Sequence, residues 1–208
     1  MTQWLTAAGA FVDAGGTLFP IMNPIGCAVL FPQMSRGLTQ RERAGLARRI
    51  ALNAGLALLV AIYAGASLLS FFGISLGALR IAGGLVVATQ AWHMLAETKD
   101  NIHSADANAS AFVPFTIPFT TGPGTLAAAI ALGSVHPVAW TDFFAYFLGL
   151  SAAAFALAAM VAILYGSAER IAAWLGPARA QILARLSAFM LLCIGIEILV
   201  RGAHEAWH

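Results

Sequence analysis

Charge is what this sequence lacks most. Of its 208 residues only 10% are charged and 60% are hydrophobic, and the mean hydropathy is +0.82. A soluble domain carries about 25% charged residues, so a large soluble core is excluded and the chain reads as an integral membrane protein. Lysine occurs once, as Lys99, beside ten arginines, a bias that points to a GC-rich bacterial genome. The net charge of +2 and the absence of a basic patch interleaved with aromatics exclude nucleic acid as a partner. There is no Walker motif, so ATP does not drive the chain by itself. The two cysteines, Cys27 and Cys193, form no CxxC and read as small apolar residues. No histidine or acid spacing suits a metal, and no Ser/His or paired-acid constellation gathers at one depth. An enzyme, a metal centre and a bound cofactor are therefore not expected. The N-terminus has no basic n-region and is expected to be retained rather than cleaved as a signal peptide.

What the sequence has instead is apolar runs. A membrane span needs about 20 residues, and six candidates appear: Phe11 to Met34, Ile50 to Phe72, Leu76 to Ala96, Ala111 to Ser134, Asp142 to Tyr165, and Ile182 to Val200. Arg36, Arg41, Arg43, Arg48, Arg49, Lys99, Arg170, Arg179 and Arg185 all fall on one side of this arrangement. The positive-inside rule makes that side cytoplasmic and places both termini outside. The expected location is the inner membrane of a bacterium.

Two of the spans carry prolines where prolines cost most. "FPIMNPIGCAVLF" (19–31) and "IPFTTGPGTLAAAI" (117–130) each hold a proline, a short polar stretch, then a second proline with a glycine close behind. A proline inside a helix costs about 3 kcal/mol, and hydrocarbon offers no water to the freed backbone groups. Asn is a strong N-cap and Pro is favoured at the first helical position. Asn23-Pro24 therefore reads as the start of a new helix, and Thr121-Gly122-Pro123 reads the same way, with Thr121 or Gly122 as cap. Both third helices of the two halves begin with arginine, Arg80 and Arg185. The chain thus reads as one transmembrane domain over 1–208. Repeat one covers about 5–96, a polar cytoplasmic loop 97–110, and repeat two about 111–203. With three spans per copy, the second copy is inverted. The first and fourth spans become pairs of half-helices meeting near the midplane. Their N–H groups and positive dipole ends aim at the membrane centre, where they suit a carboxylate. Carbonyls freed ahead of each break suit an ammonium. A carboxylate and an amine held together describe an amino acid.

These segments, with "FGISLGALRIAGGLVVA" and "AFVPFTIPFTTGPGT", resemble the signature segments of the MarC family, and the likeness covers nearly the whole chain. That family is also described as the six-span neutral amino acid transporter family and is grouped loosely with LysE-like exporters. The resemblance implies a transporter of small neutral amino acids such as alanine and glycine. It implies Asn23, Pro24 and Gly26 at the first break, and Thr121, Gly122, Pro123, Gly124 and Thr125 at the second. Arg80 with Gly83 and Gly84 matches the family's third-helix motif. The last helix departs from the pattern, with Ala188 where a glycine is usual and Glu197 where a glutamine is common.

Several residues carry two readings. Arg80 either snorkels to the interface or tethers carbonyls of a broken helix. Glu197 either carries a proton for coupled transport, since intramembrane acids are functional candidates, or pairs with Arg201 one turn on. Asp13 and Asp142 read as solvated residues near span entrances. Gly83 and Gly84 read as sites of close helix approach. Asn53 and Gln90 either line a polar path or bond between helices. The leading function is secondary transport, by uptake or export, of a small zwitterion, with protons as the coupling ion through Glu197. A passive channel, or an exporter of another small neutral solute, is the alternative. The expected surroundings are the lipid bilayer and a possible second copy of the chain.

Overall fold

The computed structural model describes residues 2–35, 37–96, 120–135 and 140–207. Among them there is no strand, and the helices follow in order as α1 (Thr2–Met22), α2 (Pro24–Met34), α3 (Gln40–Phe72), α4 (Leu76–Ala96), α5 (Pro123–Gly133), α6 (Trp140–Gly166) and α7 (Ala168–Trp207). Four stretches are long and apolar enough to cross a membrane: Thr6–Pro32, Gln40–Phe72, Asp142–Gly166 and Ala178–Trp207. The 21-residue α4 carries Arg80, Thr89, Gln90 and His93 among its apolar residues and is not one of the four. The 11-residue α5 is apolar but short. The expected polar loop 97–110 and the start of the fourth span, 111–119, lie outside the described residues, as do Arg36, Lys99, His103 and His136.

The first helix begins at Thr2, well before the Phe11 that hydropathy marked. Hydropathy locates where lipid begins, whereas the helix runs on through residues such as Ala7, Ala8 and Ala10 that favour it. The next boundaries follow their local chemistry. At the start of α3, Thr39 Oγ1 accepts from the Glu42 N–H at 3.3 Å, and Glu42 Oε2 accepts from the Thr39 N–H at 2.8 Å. That reciprocal pair satisfies two N-terminal donors. At the other end Gly73 adopts φ 67°, a left-handed conformation that glycine enters without strain, and the chain turns into α4. Within α7, Gly176 at φ 70° and ψ 164° makes a kink.

Small residues lie inside and large ones outside. The buried core is rich in alanine, including Ala14, Ala47, Ala54, Ala91, Ala129 and Ala154, while Leu52, Phe71, Phe155, Ile163 and Met190 face outward. Lipid is as apolar as leucine, so helices in a membrane associate through close packing rather than by hiding apolar surface from water. The α4–α7 pair shows this most fully. The two helices run antiparallel, Gly77 beside Gly202 and Gly84 beside Gly195. On each helix the glycines are seven residues apart, about two turns. A Cβ built on Gly84 would lie 2.6 Å from the Leu199 nitrogen, and one on Gly195 would lie 2.6 Å from the Ala88 nitrogen. Next to Gly84, Gly83 turns toward α5, where its own Cβ would meet Ala127 at 2.6 Å. Gly83 and Gly84 therefore serve close approach, as their sequence context suggested. Elsewhere α1 packs on α6, α3 on both α5 and α6, and α2 on α7 and α6.

Arg43 ties one end of the bundle together. Its guanidinium, buried within the protein, donates to Ser35 Oγ at 2.9 Å, to the Ser35 carbonyl at 3.2 Å and to the Leu38 carbonyl at 3.3 Å. It also pairs with Glu169 at the start of α7. The C-terminus of α2, the following turn, α3 and α7 thus share one arginine. The other exposed arginines of this end, Arg41, Arg48, Arg49 and Arg170, make it the basic end.

The α4–α7 contact sets a direct test. Gly84→Ala forces a methyl against backbone and is expected to destabilise the detergent-solubilised protein by about 1–3 kcal/mol, the usual cost of overpacking. Gly166→Ala, where an added Cβ meets nothing within 4 Å, is the control and should leave the thermal midpoint unmoved.

Candidate functional site

The first span breaks at a single residue. Asn23, between α1 and α2, sits at φ 46° and ψ 52°, and among the described residues no other non-glycine has a positive φ. An L-residue there is strained by about 1–2 kcal/mol, and asparagine is among the few that tolerate it. Its own N–H still reaches the Phe19 carbonyl at 3.0 Å, and its carbonyl accepts from the Cys27 N–H at 3.0 Å. The helical ladder therefore continues through the break, while the chain direction changes. The Asn23 side chain folds forward, and its Oδ1 accepts from the Gly26 N–H at 3.2 Å. Gly26 is required for that fold, because a Cβ on it would lie 2.5 Å from the Asn23 amide nitrogen. Cys27 Sγ adds a weak bond to the Met22 carbonyl at 3.7 Å. "NPIG" is thus one device: a left-handed residue that caps, a proline that starts the helix, and a glycine that makes room for the cap.

The second break is built differently. Gly122 is the N-cap of α5 in extended geometry, with no side-chain cap bond, and Pro123 is the first helical residue. Of the two caps the sequence allowed, Gly122 takes the position. Thr120 and Thr121 precede it, both fully buried. α5 rises about 16 Å over its 11 residues, about half of a 30 Å hydrocarbon core.

The two breaks meet at one cavity of about 20 Å³. Asn23 and Cys27 enter it from the first break, and Thr120, Gly122, Gly124 and Thr125 from the second. Ile21 and Met22 of α1, Val87, Gln90 and Met94 of α4 and Leu191 of α7 complete the wall. No wall residue carries a charge. At α5 the N–H groups of Gly124 and Thr125 have no helical partner, whereas at α2 Pro24 has no N–H and Gly26 donates to Asn23 Oδ1. The positive dipole ends of both helices lie at this cavity. Asn23 Nδ2 and Thr121 Oγ1 are buried with no hydrogen-bond partner among the described residues. Each such group costs about 1–3 kcal/mol, which a solute or water offering an acceptor recovers. A water needs roughly 10–15 Å³ of such space, so the cavity holds about one water in this conformation.

The sequence-derived candidates divide accordingly. Asn23, Gly122, Gly124 and Thr125 line the cavity. Gly26 and Pro24 shape α2 behind it, and Pro123 starts α5. Thr121 is buried next to the wall. Gln90 lines the cavity, and Asn53 does not. Arg80 and Glu197 lie elsewhere. Arg80 pairs with Glu205 of α7, which is neither a snorkel nor a tether to a broken helix. Glu197 is exposed on α7, and its Oε1 accepts from Arg201 Nε at 2.7 Å. Asp13, ten residues before Asn23, is about 15 Å along α1 from the break, and it is exposed. Cys193 is exposed rather than buried, whereas Cys27 is buried in the wall.

One residue was not singled out from sequence. Tyr165, near the end of α6, is fully buried. Its hydroxyl lies 3.0 Å from Thr120 Oγ1, it shares a side-chain hydrogen bond with Cys27, and its ring stacks on Phe31 at 4.7 Å. An aromatic in an apolar run carries no sequence mark to separate it from a lipid-facing neighbour. Thr120, beside the "TGP" break, was closer to hand.

Comparison with known proteins gives the family. The model of the MarC family integral membrane proteins matches residues 9–207. The chain belongs to the MarC family. A UPF0056 membrane protein of Buchnera aphidicola subsp. Schizaphis graminum is 32% identical over 190 residues, covering 89% of this chain and 88% of that one. The UPF0056 inner membrane protein MarC of Escherichia coli O1:K1 is 30% identical over 203 residues, covering 90% of this chain and 91% of its own. No solved structure matches. These relationships make the protein a multi-pass inner membrane protein.

The first break yields a graded prediction. Asn23→Gly loses the side-chain cap but keeps the left-handed backbone, and costs roughly a few tenths of a kcal/mol. Asn23→Ala loses the cap and adds about 1–2 kcal/mol of strain. Thermal unfolding in detergent should therefore rank wild type above Asn23→Gly and Asn23→Gly above Asn23→Ala. Equal midpoints for the two variants would remove the strain argument.

Proposed function

We propose that this MarC-family protein is a secondary transporter of small, net-neutral amino acids of the size of alanine and glycine. The observation that carries the reading is the convergence of two helix N-termini, one from each half of the chain, on one cavity whose wall is polar but uncharged. The partial positive charge there suits a carboxylate. Helix-end carbonyls near the Met22–Asn23 break suit an ammonium, and the absence of a fixed charge suits a solute whose charges cancel. Catalysis has no comparable constellation to support it.

The reading includes six spans in two inverted repeats. α1 with α2, α3 and α4 make one repeat, and 111–134, α6 and α7 make the other. Its support is the exchange of contacts: α4 packs on α5 as α7 packs on α2, and α4 and α7 pack on each other. An inverted pair related by an axis in the membrane plane requires that exchange. The basic end is read as cytoplasmic and both termini as external, on the positive-inside rule. A cavity with room for about one water favours alternating access over an open pore. The coupling role once open for Glu197 loses its geometric support, because that residue is exposed and paired with Arg201. Proton coupling, if present, then needs another group.

Uptake of labelled alanine and glycine into proteoliposomes, with and without a pH gradient, tests the reading. Saturable uptake is expected, reduced at least tenfold in Gly124→Val, whose side chain would enter the space now held by Val87. Glu197→Gln should leave both the rate and any gradient dependence unchanged. Absence of uptake by folded protein would overturn the alanine and glycine assignment.

A further inference from the structure

We propose that Tyr165, with Phe31 and Thr120, is the gate between the central cavity and the basic end of the bundle. The inference concerns the cavity assigned above but does not depend on which solute enters it. α2 leads from the cavity at Asn23 and Cys27 to Ser35, which Arg43 holds. Phe31 lies one turn beyond Cys27 and one turn before Ser35, whose hydroxyl donates to the Phe31 carbonyl at 2.7 Å. α6 approaches from the other side, with Tyr165 one turn before Glu169, the partner of Arg43. Tyr165 and Phe31 thus occupy the layer between the cavity and the Arg43 cluster. Both rings are fully buried, as is Thr120.

The contacts have the form of a latch. Phe31 belongs to α2 beyond the first break, Thr120 stands at the second break, and Tyr165 touches both. The stack, 4.7 Å between centroids at 26°, blocks passage by bulk. The hydroxyl pair of Tyr165 and Thr120, at 3.0 Å and within the second half, fixes the ring where it stacks on Phe31 of the first half. A solute leaving the cavity toward the basic end has to displace that ring. The hydrogen bond to Thr120 and the ring stack on Phe31 are each worth about fivefold in an equilibrium, or about 1 kcal/mol, strong enough to favour the closed form and weak enough to open.

Cys27 supplies the reporter, because it lines the cavity just above this layer and becomes the only thiol once Cys193→Ser is made. Membrane vesicles of both orientations would be treated with a membrane-impermeant methanethiosulfonate. A marker protein with Arg48→Cys and both native cysteines replaced by serine identifies the basic end. Tyr165→Ala and Phe31→Ala should each raise the labelling rate of Cys27 at least tenfold from the basic end and leave the rate from the other side unchanged. Tyr165→Phe keeps the ring and loses the hydroxyl, and should raise the same rate about fivefold, the population shift expected from one buried hydrogen bond. It also keeps the test decisive where an alanine variant fails to fold. A rise from both sides, or no rise for Tyr165→Phe together with Phe31→Ala, would overturn the gate. No solute is present in this assay, so its outcome is separate from the alanine and glycine assignment.

Discussion

A helix broken inside hydrocarbon leaves backbone groups that no water can reach, and the rest of this protein is arranged around that constraint. At the first break the solution is local. Asn23 keeps the backbone bonds on both sides of it and spends its side-chain oxygen on the Gly26 N–H. At the second break Gly122 offers no side chain, so the first turn of α5 is met by what surrounds it. The unsatisfied Asn23 Nδ2 and Thr121 Oγ1 mark where that satisfaction is incomplete. Native proteins rarely leave buried polar groups unpaired, and the exceptions gather at sites where something binds. Here Asn23 lines the cavity and Thr121 lies beside its wall, between Thr120 and Gly122.

The same constraint explains where the glycines lie. An apolar helix as short as α5, 11 residues, leaves its ends to be screened from lipid by its neighbours, and screening requires neighbours at very short range. Gly124 of α5 faces Val87 and Gly83 of α4, and Gly133 faces the Ile62 carbonyl of α3. A side chain at either position would push α5 away from its cover. Behind that cover α4 and α7 are joined backbone to backbone through Gly84 and Gly195, a contact with little room to slide. Three charged pairs sit away from the cavity: Arg43 with Glu169, Arg80 with Glu205, and Arg201 with Glu197.

The breaks were legible in the sequence because their cause is local. Asn before Pro, with Gly three residues after Asn, states a cap and a helix start within four residues. The convergence of Asn23 with Gly122, Gly124 and Thr125 followed from reading the halves as inverted copies. The partners of Arg80 and Glu197 were harder. Both lie on long apolar helices, and only the antiparallel register of α4 and α7 brings Glu205 to Arg80. Of the two readings of Glu197, the pair with Arg201 needed only the i,i+4 rule. Tyr165 was out of reach because its role depends on Phe31 and Thr120, 134 and 45 positions away in the numbering, and residue type alone does not distinguish it from the outward-facing Phe155.

The proposed passage of an amino acid requires movement around a cavity that holds about one water, and the packing restricts what can move. The α4–α7 pair is fixed by contacts between backbones, which tolerate no gradual sliding. α2 is held differently. It joins α1 through one strained residue, and at its far end it is tied by hydrogen bonds from Arg43 and by the exposed half of an ion pair to Glu169. The break at Asn23 already has the backbone geometry of a hinge, since a small change at φ 46° redirects eleven residues. The stiff element and the mobile one are therefore built from opposite chemistry. Glycine contacts fix the scaffold, and in the transport mechanism proposed above the capped, strained asparagine is the point about which α2 would swing.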